Sequence, residues 1–152
     1  MEPRTIPFEL KQTLPVPALI GVMKRGNEVL EKEKADAKSA AKKLEKALTD
    51  IALASYRLMQ YEAEFSESAK TALKMLTGAL SINGITLKDY LGETVDDELA
   101  SNVRIVGWKD GDQPFETVYE CYTPEVKLGD NLLHSAEVFC KRRVNEIEGE
   151  NA

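Results

Sequence analysis

The sequence has few of the residues that enzymes and metalloproteins use. Among its 152 residues are one histidine, His134, and two cysteines, Cys121 and Cys140. A structural zinc site takes four Cys or His ligands, so three such residues predict no metal site. The glycines are scattered and form neither of the glycine-rich patterns that hold phosphate groups. We therefore expect no enzymatic activity and no cofactor, and we expect His134 to have a structural role.

Long apolar runs are also missing. No stretch approaches the roughly 20 apolar residues of a membrane-spanning helix. The start, MEPRTIPFELKQTLPVP, has four prolines and lacks the apolar core of a signal peptide. These features predict a cytoplasmic protein with no membrane partner. Because cytosolic thiols are kept reduced, Cys121 and Cys140 are expected to be buried free thiols, with a disulfide or a metal role as the alternative.

Positive charge is in deficit. Lys and Arg number 20 against 26 Asp and Glu, which gives a net charge of −6. Proteins that bind nucleic acids gain affinity by neutralising phosphates with basic residues. The charge balance therefore predicts no nucleic-acid partner.

Four segments can be distinguished along the chain. Residues 1–17 are a proline-containing arm, 18–84 are helical, 85–143 are rich in strand patterns, and 144–152 are a polar tail. The predicted fold class is α+β: a long coiled-coil helix, a short helix that completes a four-helix bundle across a dimer, and a small C-terminal β-domain.

A seven-residue repeat marks the long helix, expected from Ala18 to about Phe65. Apolar residues recur at every seventh position, the spacing of a coiled-coil seam. The repeat consists of Met23, Leu30, Ala37, Leu44, Ile51, Leu58 and Phe65.

A second helix is predicted from Glu67 to Ile82, with Ser66 as its N-cap and Asn83-Gly84 as its end. One chain could form a monomeric bundle with a solvated charged face, but it would lack the remaining helices. Two chains supply four helices, which favours a homodimer. The predicted dimer interface comprises Leu30, Ala37, Leu44, Ile51, Leu58, Phe65, Leu73, Leu76 and Leu80.

The third segment predicts one small sheet of four or more strands. Residues 103–108 and 117–122 alternate on either side of a glycine- and proline-containing turn, which predicts a hairpin. Residues 85–87 add a strand, and Gly129-Asp130 precedes the closing strand. The acidic residues 96–98 are interpreted as a helix start or turn rather than a calcium site.

The order of these elements, with the stretches "YLGETVDDELASNV" and "KLGDNLLHSAEVFC", resembles the GrpE family of nucleotide exchange factors. In the first stretch, Leu91-Gly92-Glu93 followed by Val95-Asp96 is similar to the family's Gly-Glu, hydrophobic, Asp-Pro segment. In the second, the matching positions are Leu128, Gly129, Asp130, Leu132, Leu133, Ser135, Ala136 and Val138. Departures from the family pattern, which indicate a divergent member, fall at Asp97, Ala100, Asn102, Glu125, Val126 and His134.

The resemblance implies a dimeric cochaperone that binds the nucleotide-binding domain of a DnaK-type chaperone and accelerates ADP release. By position, it implies that Gly84, Tyr122 and Asn131 contact the chaperone. Each has a structural alternative: Gly84 as a helix terminus, Tyr122 as a core aromatic residue and Asn131 as a turn residue. A competing hypothesis is a coiled-coil adaptor whose β-domain docks an unrelated protein.

Overall fold

Helices occupy the first part of the described chain and most strands the second. The structure is a computed structural model that describes residues 15–144. Helix α1 spans Val16–Gln60, helix α2 Glu67–Ile82 and the short helix α3 Asp97–Asn102. The α+β class is as predicted, whereas most of the predicted arm and nearly all of the tail lie outside the described residues. The chain divides after Lys42 into two units, and the features below belong to the second unit unless stated otherwise.

Both ends of α1 differ from the prediction. The helix begins two residues early, and the Pro15 carbonyl accepts hydrogen bonds from the amides of Ala18 and Leu19. Pro17 fits there because the first helical turn needs no proline N–H. The expected continuation to Phe65 is wrong: α1 ends at Gln60, a 3-10 turn follows at Glu62–Glu64, and Phe65 is extended. The seven-residue repeat thus continues past the end of the helix.

Helix α2 has the predicted bounds. The Ser66 side chain caps the N-terminus by accepting a hydrogen bond from the Ala69 amide at 3.3 Å. At the other end Asn83 is the C-cap, and Gly84 has a φ of 80°, in the left-handed region that favours glycine. Strand β1 begins at the next residue, so Gly84 is where the chain changes from helix to sheet.

Within residues 15–144, six strands form two small sheets. Strand β1 is Ile85–Lys88, β2 Arg104–Lys109, β3 Thr117–Thr123, β4 Glu125–Leu128, β5 Asn131–His134 and β6 Glu137–Lys141. Sheet A has the antiparallel order β1-β4-β5. Sheet B has the order β2-β6-β3, in which β2 and β6 are parallel.

The prediction of a single sheet is therefore wrong, and so is the predicted hairpin of β2 with β3. Strand β6 lies between these two strands. In this central position Val138 and Cys140 are completely buried. The predicted closing strand is divided in two, because residues 135–136 separate β5 from β6.

Two apolar clusters connect the end of α1 to the sheets. In the cluster beneath sheet B, Tyr56 of α1 joins buried residues that include Val118 and Val138. In the other cluster, Ala52 of α1 packs with Leu80 of α2 and with Val126 of sheet A. The last turns of α1 are therefore part of the core of the β-domain.

Candidate functional site

Gly84 lies beside the β4–β5 turn. The Gly84 carbonyl accepts a hydrogen bond from the Gly129 amide at 2.9 Å. Gly129 has a φ of 57° and begins a two-residue turn of the kind that takes glycine at its first position. A Cβ on Gly84 would lie 3.8 Å from Leu128 Cδ1, an ordinary contact. Backbone conformation rather than lack of space therefore favours glycine at position 84.

Asn131 lies at the same end of sheet A. It is exposed, begins β5 and pairs with Leu128 across the Gly129-Asp130 turn. Leu128 in turn pairs with Ile85, the residue after Gly84. The structure thus brings two of the three predicted contact residues to one end of one sheet.

Tyr122 is an exposed aromatic residue rather than a core residue. Half of its surface is accessible, and its ring meets the Phe139 ring edge-on at 6.4 Å between centroids. The guanidinium of Arg57 on α1 lies 5.9 Å from the centre of the Tyr122 ring. Strict alternation predicts that Tyr122 shares a face with Val118, but irregularities in β3 shift the register, and only Val118 is buried.

The Tyr122 side chain does not join the other two residues. Tyr122 belongs to sheet B, and the whole of β4 lies between it and the Gly129-Asp130 turn. The predicted contacts therefore form two patches, one at Gly84 and Asn131 and the other at Tyr122.

A buried tyrosine fixes α1 to the β-domain. The Tyr56 hydroxyl donates to Asp89 Oδ2 at 2.6 Å and lies 3.2 Å from the Cys121 carbonyl oxygen. Asp89 Oδ1 accepts from the Leu91 amide at 2.7 Å. Burial, followed by the hydrogen bond to Asp89, raises the pKa of Tyr56 far above its ordinary value. Sequence reasoning missed Tyr56 because a tyrosine within a helix carries no signal of a partner 33 residues away.

A second tyrosine anchors the start of sheet A. The Tyr90 hydroxyl donates to Glu125 Oε2 at 3.1 Å, and Lys127 Nζ lies 2.9 Å from the other carboxylate oxygen. Burial and this hydrogen bond raise the pKa of Tyr90 to about 12. Above its ring, at 4.2 Å, lies the ammonium group of Lys88. These contacts hold the carboxylate of Glu125 in a position where it is only 6% exposed.

The histidine and the cysteines lie at or near the junction of the strands. His134 Nε2 lies 3.0 Å from Thr123 Oγ1, a contact between β5 and the end of β3. Cys121 and Cys140 are buried and free, and burial raises the pKa of both thiols. They do not face each other, because Cys121 pairs with Val138 and Cys140 with Val118. Among residues 15–144 no three His, Cys, Asp or Glu side chains are grouped as metal ligands.

The predicted dimer-interface residues fall into two sets. Leu73 and Leu80 are each 6% exposed and lie in the interior of a single chain. The others retain accessible surface: Leu30 and Ala37 in the first unit, and Leu44, Ile51, Leu58, Phe65 and Leu76 in the second. Leu80 packs with Ala52 of its own chain, so this part of α2 is covered without a second copy.

The sequence matches no protein-family model and has no significant match among curated proteins. Within residues 15–144, no helix combines the length and the apolar character that crossing a membrane requires.

Proposed function

We propose that the protein is a divergent GrpE-like nucleotide exchange factor, a homodimer that binds the nucleotide-binding domain of a DnaK-type chaperone and accelerates ADP release. The observation that carries the proposal is the junction at Gly84. A long helix with an accessible apolar seam and a short helix lead there into a β-domain that exposes Asn131 and Tyr122. This is the order of elements on which the resemblance to the family rests.

Rigid attachment of the β-domain supports this function. Tyr56 of α1 bonds to Asp89, and the chain turns from α2 into β1 at a glycine that is hydrogen-bonded to Gly129. A protein that holds another protein's cleft open must not itself deform, because it can stabilise the open state only through differential contacts. The hydrogen bonds of Tyr56 and Gly84 attach the β-domain that would make those contacts.

Nucleotide exchange follows from linkage. If the protein binds the open, nucleotide-free state of the chaperone more tightly than the ADP-bound state, ADP affinity must fall by the same factor. No proton transfer or covalent step is needed, so the mechanism requires no catalytic residue. Gly84, Asn131 and Tyr122 act in this proposal through contact alone.

The dimer part of the proposal rests on the seam. Leu44 is 61% exposed, Ile51 43% and Leu58 44%, and they lie on one helix at seven-residue spacing. Accessible apolar residues in this register are typical of a helix that pairs with another. A second copy of the chain presents the same seam and completes the pair.

A coiled-coil adaptor is the second candidate, and the same exposed seam favours it. Stopped-flow release of fluorescent ADP from a DnaK-type chaperone of the same cell distinguishes the two. We expect the protein to increase the release rate in a saturable manner. An unchanged rate with every such chaperone of that cell would reject nucleotide exchange and leave the adaptor.

A further inference from the structure

Sheet B carries a row of aromatic rings on the side opposite its core. The Phe139 ring lies in the middle, 6.2 Å from the Tyr119 ring and 6.4 Å from the Tyr122 ring. Lys109 Nζ lies 3.5 Å from the centre of the Tyr119 ring, and Arg57 lies over Tyr122 at the other end. We call these five side chains the aromatic platform.

Irregular strand pairing builds the platform. The register of β3 against β6 shifts between Val118 and Glu120 and again between Cys121 and Thr123. The extra residues at these two shifts are Tyr119 and Tyr122, and both contact Phe139. Bulges re-aim side chains and are frequent beside functional sites. Here they place two tyrosines on the face that holds Phe139, while Val118 and Cys121 stay buried.

Gly107 of β2 makes room for the central ring. It pairs with Phe139, and a Cβ at this position would lie 3.1 Å from Phe139 Cδ1. This distance is tighter than a normal contact, so a side chain at position 107 would displace the ring. The third register shift in sheet B occurs just before it, between Ile105 and Gly107. All three register shifts therefore occur opposite the stretch of β6 from Glu137 to Cys140, which contains Phe139.

The charges around the platform favour an acidic partner. Among residues 15–144, neither Arg57 nor Lys109 has a carboxylate within 4.0 Å, although the chain is acidic overall. Other charged residues of sheet B and its loops are accounted for as follows. Arg104 pairs with Glu137 and Lys141 with Asp112, so each pair is neutral, whereas Glu120 is an exposed carboxylate. Tyr and Arg are enriched among the residues that dominate binding energy at protein interfaces. Cations stacked on rings keep their charge available for an approaching carboxylate.

We infer that the aromatic platform binds a surface of the chaperone's nucleotide-binding domain that presents an apolar side chain flanked by carboxylates. The inference rests on the proposed function and adds partner chemistry to the Tyr122 patch. Phe139 and the two tyrosines supply the apolar contact. Arg57 and Lys109 pair with the carboxylates at the two ends and raise the association rate at low salt.

Charge reversal at both ends of the platform tests the inference. The variants are Arg57→Glu and Lys109→Glu, with Lys88→Glu as the control outside the platform: Lys88 also stacks on a tyrosine, but it belongs to sheet A and pairs with Glu93 at 3.8 Å. Affinity for the nucleotide-free chaperone domain is measured at low and high salt, and urea unfolding verifies that each variant folds. We expect each platform variant to bind about ten-fold more weakly than the control and to show a smaller salt dependence.

Three outcomes are distinguishable. If the unaltered protein binds and both platform variants weaken relative to Lys88→Glu, the inference stands. If the unaltered protein binds and the platform variants match the control, the platform is not the contact, although the exchange function is untouched. If the unaltered protein fails to bind the domain or to accelerate ADP release, the proposed function fails and the inference fails with it.

Discussion

At the scale of single residues, tyrosine hydroxyl groups hold the β-domain in place. Tyr56 and Tyr90 are 6% and 4% exposed, and each donates to a carboxylate distant in sequence. Such pairs cannot be predicted from the sequence, because no local pattern distinguishes a tyrosine whose hydroxyl bonds to a carboxylate 33 residues away. Tyr122 illustrates a similar limit. Strict alternation along β3 predicts that Tyr122 lies on the buried face with Val118, but a bulge between Cys121 and Thr123 places it on the exposed face.

Replacing Tyr56 by Phe removes the hydroxyl that bonds to Asp89 and leaves the ring in place. We expect the free energy of unfolding to fall by about 1–2 kcal/mol, since the carboxylate loses a hydrogen bond from a buried donor. Urea unfolding measures this change. Tyr61→Phe is the matched control, because Tyr61 is 57% exposed, and an equal loss in both variants would contradict the structural role of Tyr56.

The raised pKa of Tyr90 predicts a pH dependence at alkaline pH. Its pKa is about 12 in the folded protein against an ordinary value of 10.0, so the fold favours the neutral phenol. The corresponding stability is fully present below pH 10 and is lost as the pH rises from 10 to 12. Urea unfolding across this range should show a shallower decline for Tyr90→Phe than for the unaltered protein. Identical declines would mean that Tyr90 ionises equally in the folded and unfolded chains.

At the scale of elements, prediction succeeded where the signal was local. Ser66 and Asn83-Gly84 mark the ends of α2 because caps act on their own neighbours, and the structure has the same bounds. The end of α1 was missed, because the seven-residue repeat continues through the turn that separates the helices. Sheet topology was missed for a related reason. The insertion of β6 between β2 and β3 depends on long-range burial that no turn signal records.

The seam of α1 predicts concentration-dependent association. Leu44→Asp places a charge in the seam, and Lys43→Asp places the same carboxylate one position away, outside the repeat, in place of a side chain that is already charged. We expect the unaltered protein and Lys43→Asp to sediment as dimers at micromolar concentration and Leu44→Asp to sediment largely as a monomer. If all three behaved alike, the seam would not be the dimer contact.

At the scale of the whole molecule, our proposal treats the described chain as a binding protein. Its second unit combines a glycine junction at Gly84, an exposed Asn131 nearby, and an aromatic platform that includes Tyr122. The resemblance drawn from the sequence names the partner class. The structure adds where the proposed contact residues lie and divides them between two sheets.

The central claim is that this protein prefers a chaperone without nucleotide. Calorimetric titration of the chaperone's nucleotide-binding domain, nucleotide-free and then saturated with ADP, measures that preference directly. The account predicts at least ten-fold tighter binding to the nucleotide-free domain, matched by an equal loss of ADP affinity in the complex. Equal affinity for the two forms would contradict it, because a ligand that does not distinguish two states cannot shift their populations.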